Sequence, residues 1–320
     1  MMNIRFSLTA ILLVASAAGA ADSQAQTTGA VAGRIVSVQC AAHLQKNGTQ
    51  GEVQLSSPRD IALGLSAGDR VQCTGAGYLE VLVSTGTKKI TASDSWFTIP
   101  PLPPDPAFPK ADAVIAQSLA NYGRAGATRG NATDSRILWP SANAAVLPDR
   151  FVIRWAPLPQ KIVLAVMSES KDVTIWGPTE VDGGAGSLKS AALSSALTGY
   201  KAKAGGTALI LTLTPAKSSD WEEVHFSLLN ARQEQELNAQ LDFWGKNTGG
   251  LALLLGRGYS YSRFKLFADA ADEYDSALSS VPESRYLLED AIQANRLAGR
   301  PSRVKELQTR LASQPEAVNQ

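Results

Sequence analysis

The sequence is short of the residues that most often carry chemistry. Its 320 residues include two cysteines and two histidines, which leaves few ligands for a transition-metal site. It also lacks a charge imbalance, with 30 basic side chains against 29 acidic ones. A nucleic-acid binder working through a broad basic face needs a surplus of Lys and Arg to neutralise phosphates, so that class is excluded. Charged residues are only 18% of the chain and hydrophobic ones 44%, the reverse of a disordered composition. No P-loop or dinucleotide fingerprint occurs: Gly123, Gly126 and Gly130 have neither the spacing nor the strand-to-helix setting. No cofactor is implied.

What is present begins with an address. Arg5 gives a positive start, and Leu8 to Ala21 is apolar or small apart from Thr9 and Ser16. Cleavage sites follow at Ala18-Gly19-Ala20 and Ser23-Gln24-Ala25, so residues 1–25 read as a secretory signal peptide. This run is shorter than the roughly 20 residues of a membrane span, and no later run reaches that length. The expectation is an exported mature chain in the periplasm or outside the cell, with no transmembrane segment. Cys40 and Cys73 fall on the apolar parity of strand-like stretches, Val36/Val38/Cys40 and Val71/Cys73. Two readings follow. One is a disulfide closing a loop of about 33 residues and worth about 3–4 kcal/mol, and the other is two buried free thiols packed as small hydrophobes.

Period and punctuation divide the chain into three structured regions. Residues 26–99 alternate with period two, as in Leu79/Val81/Val83, between turns at Gly75-Ala76-Gly77 and Thr85-Gly86-Thr87, and predict a small all-β domain. Residues 100–136 open with Pro100, Pro101, Pro103, Pro104, Pro106 and Pro109, a stiff spacer. Within them Val114, Ile115, Leu119 and Tyr122 suggest one short helix before a Gly/Ala-rich stretch. Residues 137–229 are β again: Phe151, Ile153 and Trp155 alternate, and Ile162 to Met167 and Thr207 to Thr214 are further strands. The length suits a small sandwich. From 230 to 314 the period becomes 3.6, with stripes such as Leu237/Leu241/Trp244 and Val304/Leu307/Leu311, punctuated at Gly245, Pro282 and Gly299-Arg300-Pro301. Residues 315–320 are a tail.

The helical region carries a family resemblance. Gly258 and Tyr261, followed by Ala270, Tyr274, Ala277 and Pro282, resemble the signature of a tetratricopeptide repeat. The unit from Arg285 to Gln314 keeps the period but departs at most signature positions and resembles a capping repeat. Leu63-Gly64-Leu65-Ser66-Ala67-Gly68-Asp69-Arg70-Val71, then Gly75-Ala76-Gly77 and Leu79 to Val83, resemble the core of FecR-like domains. The middle region resembles an immunoglobulin-like sandwich in outline. The implied architecture is multidomain: two small all-β modules, then an all-α helical hairpin region. Such modules imply scaffolding or signal relay in exported bacterial proteins. Because about three repeats are needed to bury a solenoid core, the missing contacts come from a neighbouring domain or from a partner.

Catalytic patterns are weak. Gly64-Leu65-Ser66-Ala67-Gly68 satisfies the G-x-S-x-G expression, but a nucleophile elbow needs a helix after the serine, and here Asp69 and a strand follow. Its base would be His225, in another domain. Ser168-Glu169-Ser170-Lys171 has S-x-x-K spacing on what reads as a solvated hairpin tip, and Glu222 and Glu223 are adjacent on a strand and face opposite sides. His43 reads as a surface residue. The expectation is a non-enzymatic cell-envelope scaffold that binds a protein partner through its helical end, with Arg257, Tyr259, Tyr261 and Arg263 as candidate contacts, since desolvated aromatic and arginine side chains dominate binding energy. The rivals are a FecR-like sensor or relay, and a hydrolase built on Ser66 and His225.

Overall fold

A computed structural model of the chain describes residues 31–101, 136–204, 208–216 and 220–314. The expected signal peptide, most of the proline-rich connector with its candidate helix, and the tail lie outside the described residues. What is described runs from antiparallel β sheets to helices.

Eight strands form the first module: β1 (Val31–Val38), β2 (Ala41–Gln45), β3 (Glu52–Leu55), β4 (Gly64–Ser66), β5 (Arg70–Thr74), β6 (Tyr78–Val83), β7 (Gly86–Thr91) and β8 (Phe97–Thr98). They make two four-stranded sheets, ordered β4-β1-β6-β7 and β3-β2-β5-β8. Between β4 and β5, the buried Asp69 carboxylate accepts from the backbone N–H groups of Ser66 and Asn47, both at 2.9 Å, and from Lys46 Nζ at 3.0 Å. Gly68, at φ +86°, makes the bend that aims it. The Gly64–Gly68 stretch is therefore a strand end and a turn, as the sequence indicates. Cys40 and Cys73 form a disulfide with Cα atoms 5.9 Å apart. It joins the connection after β1 to β5, which settles the alternative left open by their parity.

The second module is β9 (Ile137–Trp139), β10 (Ala145–Val146), β11 (Ile153–Trp155), β12 (Ile162–Ser168), β13 (Thr174–Val181), β14 (Ser187–Leu188), β15 (Ala208–Pro215) and β16 (Glu222–Leu228). A five-stranded sheet, β10-β16-β15-β12-β13, faces a three-stranded one, β14-β11-β9. The run Ile162–Met167 is not buried on both faces: Ile162, Leu164 and Val166 are buried, and Val163, Ala165 and Met167 only half so. The all-β expectation needs one correction. Helix α1 (Ala191–Ala204) lies inside this region, with Ser190 Oγ accepting from Leu193 N at its start and Leu193 and Leu197 buried in the sandwich core. That four-residue spacing, with Tyr200 half-buried beyond it, is a helical period that short alternating strands on both sides obscured.

Five helices follow: α2 (Ala231–Asn247), α3 (Gly250–Arg263), α4 (Phe267–Ser280), α5 (Arg285–Leu297) and α6 (Pro301–Ala312). Asn230 and Gln233 close a capping box on α2. Gly245 does not end that helix, as its type suggested. It lies exposed within it, and Thr248 ends it instead. Glycine serves close approach elsewhere: a Cβ at Gly256 would lie 2.5 Å from the Trp244 ring, and one at Gly258 3.1 Å from Tyr274. The repeat-like positions thus meet as a helix pair, with Ala270, Tyr274 and Ala277 buried on α4 and Pro282 just beyond its end.

The apolar interior forms two clusters. One joins the first module to α2–α6, and the other is the sandwich core, into which Phe267 and Leu297 of the helical region insert. The N-terminal module and the C-terminal helices therefore share a core, although the whole sandwich lies between them in the chain.

Candidate functional site

The junction between the first module and the helices centres on Arg34. It sits on β1, which has strands on both sides, and it is 4% exposed. Its Nη1 donates to Ala62 O at 2.8 Å and to Asp290 Oδ2 on α5 at 2.6 Å. Its guanidinium lies 4.6 Å from the centre of the Tyr259 ring on α3, a cation–π geometry. Nearby, Ser284 caps α5 by accepting from Leu287 N and donates its hydroxyl to Ile61 O at 2.6 Å. Ile61 and Ala62, the latter at φ +67°, thus present their carbonyls to the two residues that dock the module. The Asp290 carboxylate and the Tyr259 ring face form a socket that Arg34 fills, and Ser284 at the capped start of α5 holds the Ile61 carbonyl.

The junction between the sandwich and the helices is built differently. Gly299 has φ +64°, and a Cβ there would lie 2.0 Å from Leu138 O on β9. Ala145 N donates to Lys265 O at 3.0 Å, and Arg154 Nη1 donates to Ala298 O at 3.3 Å. Arg150 pairs with Asp269 at 3.1 Å and donates to Tyr261. Burial pushes the Asp269 carboxyl above the ordinary carboxylate range, against the pull of Arg150. Glu273 is raised by burial too, although Arg257 lies 2.7 Å away. Arg154 is lowered by burial and by the neighbouring Arg300 charge.

These contacts place the four candidate partner-binding residues. Tyr259 and Tyr261 are each 2% exposed. The first packs under Arg34 and edge-on to Tyr274, and the second meets Arg150. Arg257 is engaged by Glu273 and Arg263 by Glu236, at 2.7 and 2.6 Å. Helical periodicity placed all four on α3 but did not show that both β modules cover that helix. Arg34, Asp290, Arg150 and Asp269 were the residues missed. The available signal was a lone arginine inside the apolar run Val31 to Val36, where a solvent-facing strand would show alternation.

One exposed cluster joins residues weighed separately in the sequence. Lys171, at the β12–β13 tip, reaches Glu223 on β16 at 2.8 Å and lies 4.9 Å from the Trp221 ring. His225 is 3.8 Å from the same carboxylate. Trp221 is 38% exposed and Val173, at the same tip, 47%. Glu222 faces the other way, accepting from the backbone of Arg136 and Ile137, as adjacent strand residues must. Ser168 Oγ donates to Asp172 and not to Lys171, and Asp172 is held below the ordinary carboxylate range by Ser168 and Ser170. His225 pairs with Glu223, while Ser66 lies in the other β module. His43 lies 3.8 Å from Glu52 on the outer face of the first module. Among the described residues no group of three or more His, Cys, Asp and Glu is arranged to hold a metal, and no helix is long and apolar enough to cross a membrane. Compared with protein-family models and with curated proteins, the chain matches none.

Proposed function

We propose that the protein is an exported, non-enzymatic scaffold of the cell envelope whose helical end serves first as an internal bracket holding two β modules in fixed relation. The observation that carries this reading is the engagement of α3 from both sides, by Arg34 on Tyr259 and by Arg150 on Tyr261. A helix covered on both faces has little left to offer a groove-bound peptide. The protein partner is therefore met by the exposed outer surface, where Trp221, 38% exposed beside Lys171, Glu223 and His225, is an aromatic of the type that dominates binding energy when desolvated. A buried aromatic and charge-rich bracket with a disulfide-stapled module suits an oxidising compartment.

The test is differential capture from envelope extract. Trp221→Ala combined with Lys171→Ala is expected to lose the partners that wild-type protein retains, with an unchanged melting profile. Retention of the same partners by that variant, and their loss on replacing exposed residues of α6 such as Lys305 and Gln308, would return the binding surface to the helical end.

A further inference from the structure

The four sheets end on eight edge strands: β4 and β7, β3 and β8, β10 and β13, β14 and β9. An open edge offers unpaired backbone N–H and C=O groups to another strand, and proteins blunt such edges with Lys, Pro, bulges or extreme shortness. Among the described residues, seven of the edges carry such a device. β7 presents Lys88 and Lys89, β13 is interrupted by Pro178 and by shifts of register, and β4, β8, β9, β10 and β14 have two or three residues each. β3 differs. It pairs with β2 over four consecutive residues without a bulge, has neither Lys nor Pro, and three of its four residues are exposed. Its one charge, Glu52, lies 3.8 Å from His43. Val53 is on the inward parity, opposite buried Leu44, yet it is 50% exposed, because no described strand lies beyond it.

We propose that β3 is the seam of a two-fold dimer, pairing antiparallel with β3 of a second copy so that two four-stranded sheets become one continuous sheet. Charge and free backbone select the register. Centred on Val53, the pairing sets Val53 against its own copy, Glu52 against Gln54, and Leu55 against Gly51, with no like charges opposed. A Cβ at Gly51 would meet nothing within 4 Å, so that position is open. Centred on Glu52, the pairing would oppose two carboxylates, which is unfavourable across strands. Centred on Gln54, it would reach Ser56, whose N–H already donates to Asp60 Oδ2 at 2.7 Å and whose carbonyl accepts from Asp60 N at 2.9 Å. The strand is thus complementary to itself in one register, as a two-fold interface requires, and this selects a second copy as the occupant. Contact over so few residues is at the low end of specific interfaces, so the dissociation constant is expected on the order of 0.1–1 mM. The seam lies in the first module and is independent of the Trp221 surface on the sandwich.

Sedimentation equilibrium of the mature chain tests it. At about 1 mM the weight-average mass of the wild type is expected to reach roughly one and a half times the monomer mass or more. Val53→Lys, which puts two like charges on the axis, is expected to stay at the monomer mass with an unchanged melting profile. A wild type that stays at the monomer mass would overturn the proposal and leave the edge to a strand of another protein. Cross-linking tests the register. The two native cysteines are bonded to each other, so Val53→Cys adds a single free thiol. Under mild oxidation at the same concentration it is expected to form a covalent homodimer at least about tenfold faster than Val173→Cys, because paired strand residues hold their Cβ atoms roughly 5 Å apart. Val173, at the sandwich tip, is similarly exposed at 47% and reports random collision. Equal rates for the two variants would overturn the proposal as well.

Discussion

The two junctions of the helical region share an arginine on a carboxylate and a tyrosine but differ in how closely the backbones meet. Toward the first module, docking runs through side chains: a buried arginine on a carboxylate and a ring, and a capping serine on a carbonyl. Toward the sandwich, an exposed-side arginine pairing of Arg150 with Asp269 is joined by backbone brought so close that only glycine fits at position 299, with two apolar side chains inserted into the other core. The sequence distances differ in the same sense. The sandwich leads into α2 within a few residues of β16, whereas the first module must find its socket after the rest of the chain has been made. A buried ion pair costs desolvation and adds little net stability over an apolar pair, while breaking it by removing one partner is expensive. A side-chain key therefore suits selection of a distant partner, and backbone contact suits a neighbour already at hand.

The sharpest way to break the comparison is Gly299→Ala. A Cβ overlapping a carbonyl oxygen, in the left-handed region, is expected to cost roughly 3 kcal/mol, read by urea denaturation. A cost under about 0.5 kcal/mol would show that the sandwich junction is looser than its geometry implies. Arg34→Ala comes next. Asp290 is partly solvated, with a side chain 18% exposed, so the loss is expected near 2 kcal/mol rather than the 3–5 of a fully buried pair. The joint replacement Arg34→Met with Asp290→Leu is expected to recover most of it. Failure to recover would mean that the pair stabilises in its own right.

Protonation separates the junctions further. Asp269 and Glu273 have carboxyls raised by burial, so the folded chain binds their protons more tightly than the unfolded chain. The penalty for holding them ionised is present above their folded values and absent below the unfolded ones. Acidification from neutrality toward the ordinary carboxylate range therefore relieves it and favours the folded state at this junction. Other groups act in the opposite sense: Asp94, lowered by its hydrogen bonds to Thr91, favours the folded state at higher pH. The difference between wild type and Asp269→Asn isolates the Asp269 contribution. The stability advantage of the Asn variant is expected to shrink as pH falls, in urea midpoints measured from pH 7 to pH 4. The smallest effect is expected for Lys171→Ala on the exposed cluster, under about 1 kcal/mol and reduced by salt.

The order of elements was legible because period is a local property. Alternation along β5 and β6 and the 3.6-residue stripes of α4 and α5 can be read within one element, and the small residues that let Gly258 meet Tyr274 within two consecutive helices. The disulfide was legible as one of two readings, since parity places Cys73 inside but cannot show which thiol faces it. Helix α1 was hidden because its apolar residues, Leu193 and Leu197, are few and its neighbours are short strands. The bracket was not legible at all. Arg34 in an apolar strand announces an unusual environment, but only the folded chain shows that Asp290 and Tyr259 provide it. The same limit applies to α3, whose tyrosines have the composition of a binding surface and the location of a core.

The central claim is that the first module and the C-terminal helices form one cooperative body across the intervening sandwich. Hydrogen exchange of wild type against Arg34→Ala tests it most directly. The account predicts that protection falls together in β1, β6 and α5, while β12 and β15 of the sandwich are unchanged. Loss of protection confined to β1 and its immediate neighbours, with α5 exchanging as in wild type, would contradict it.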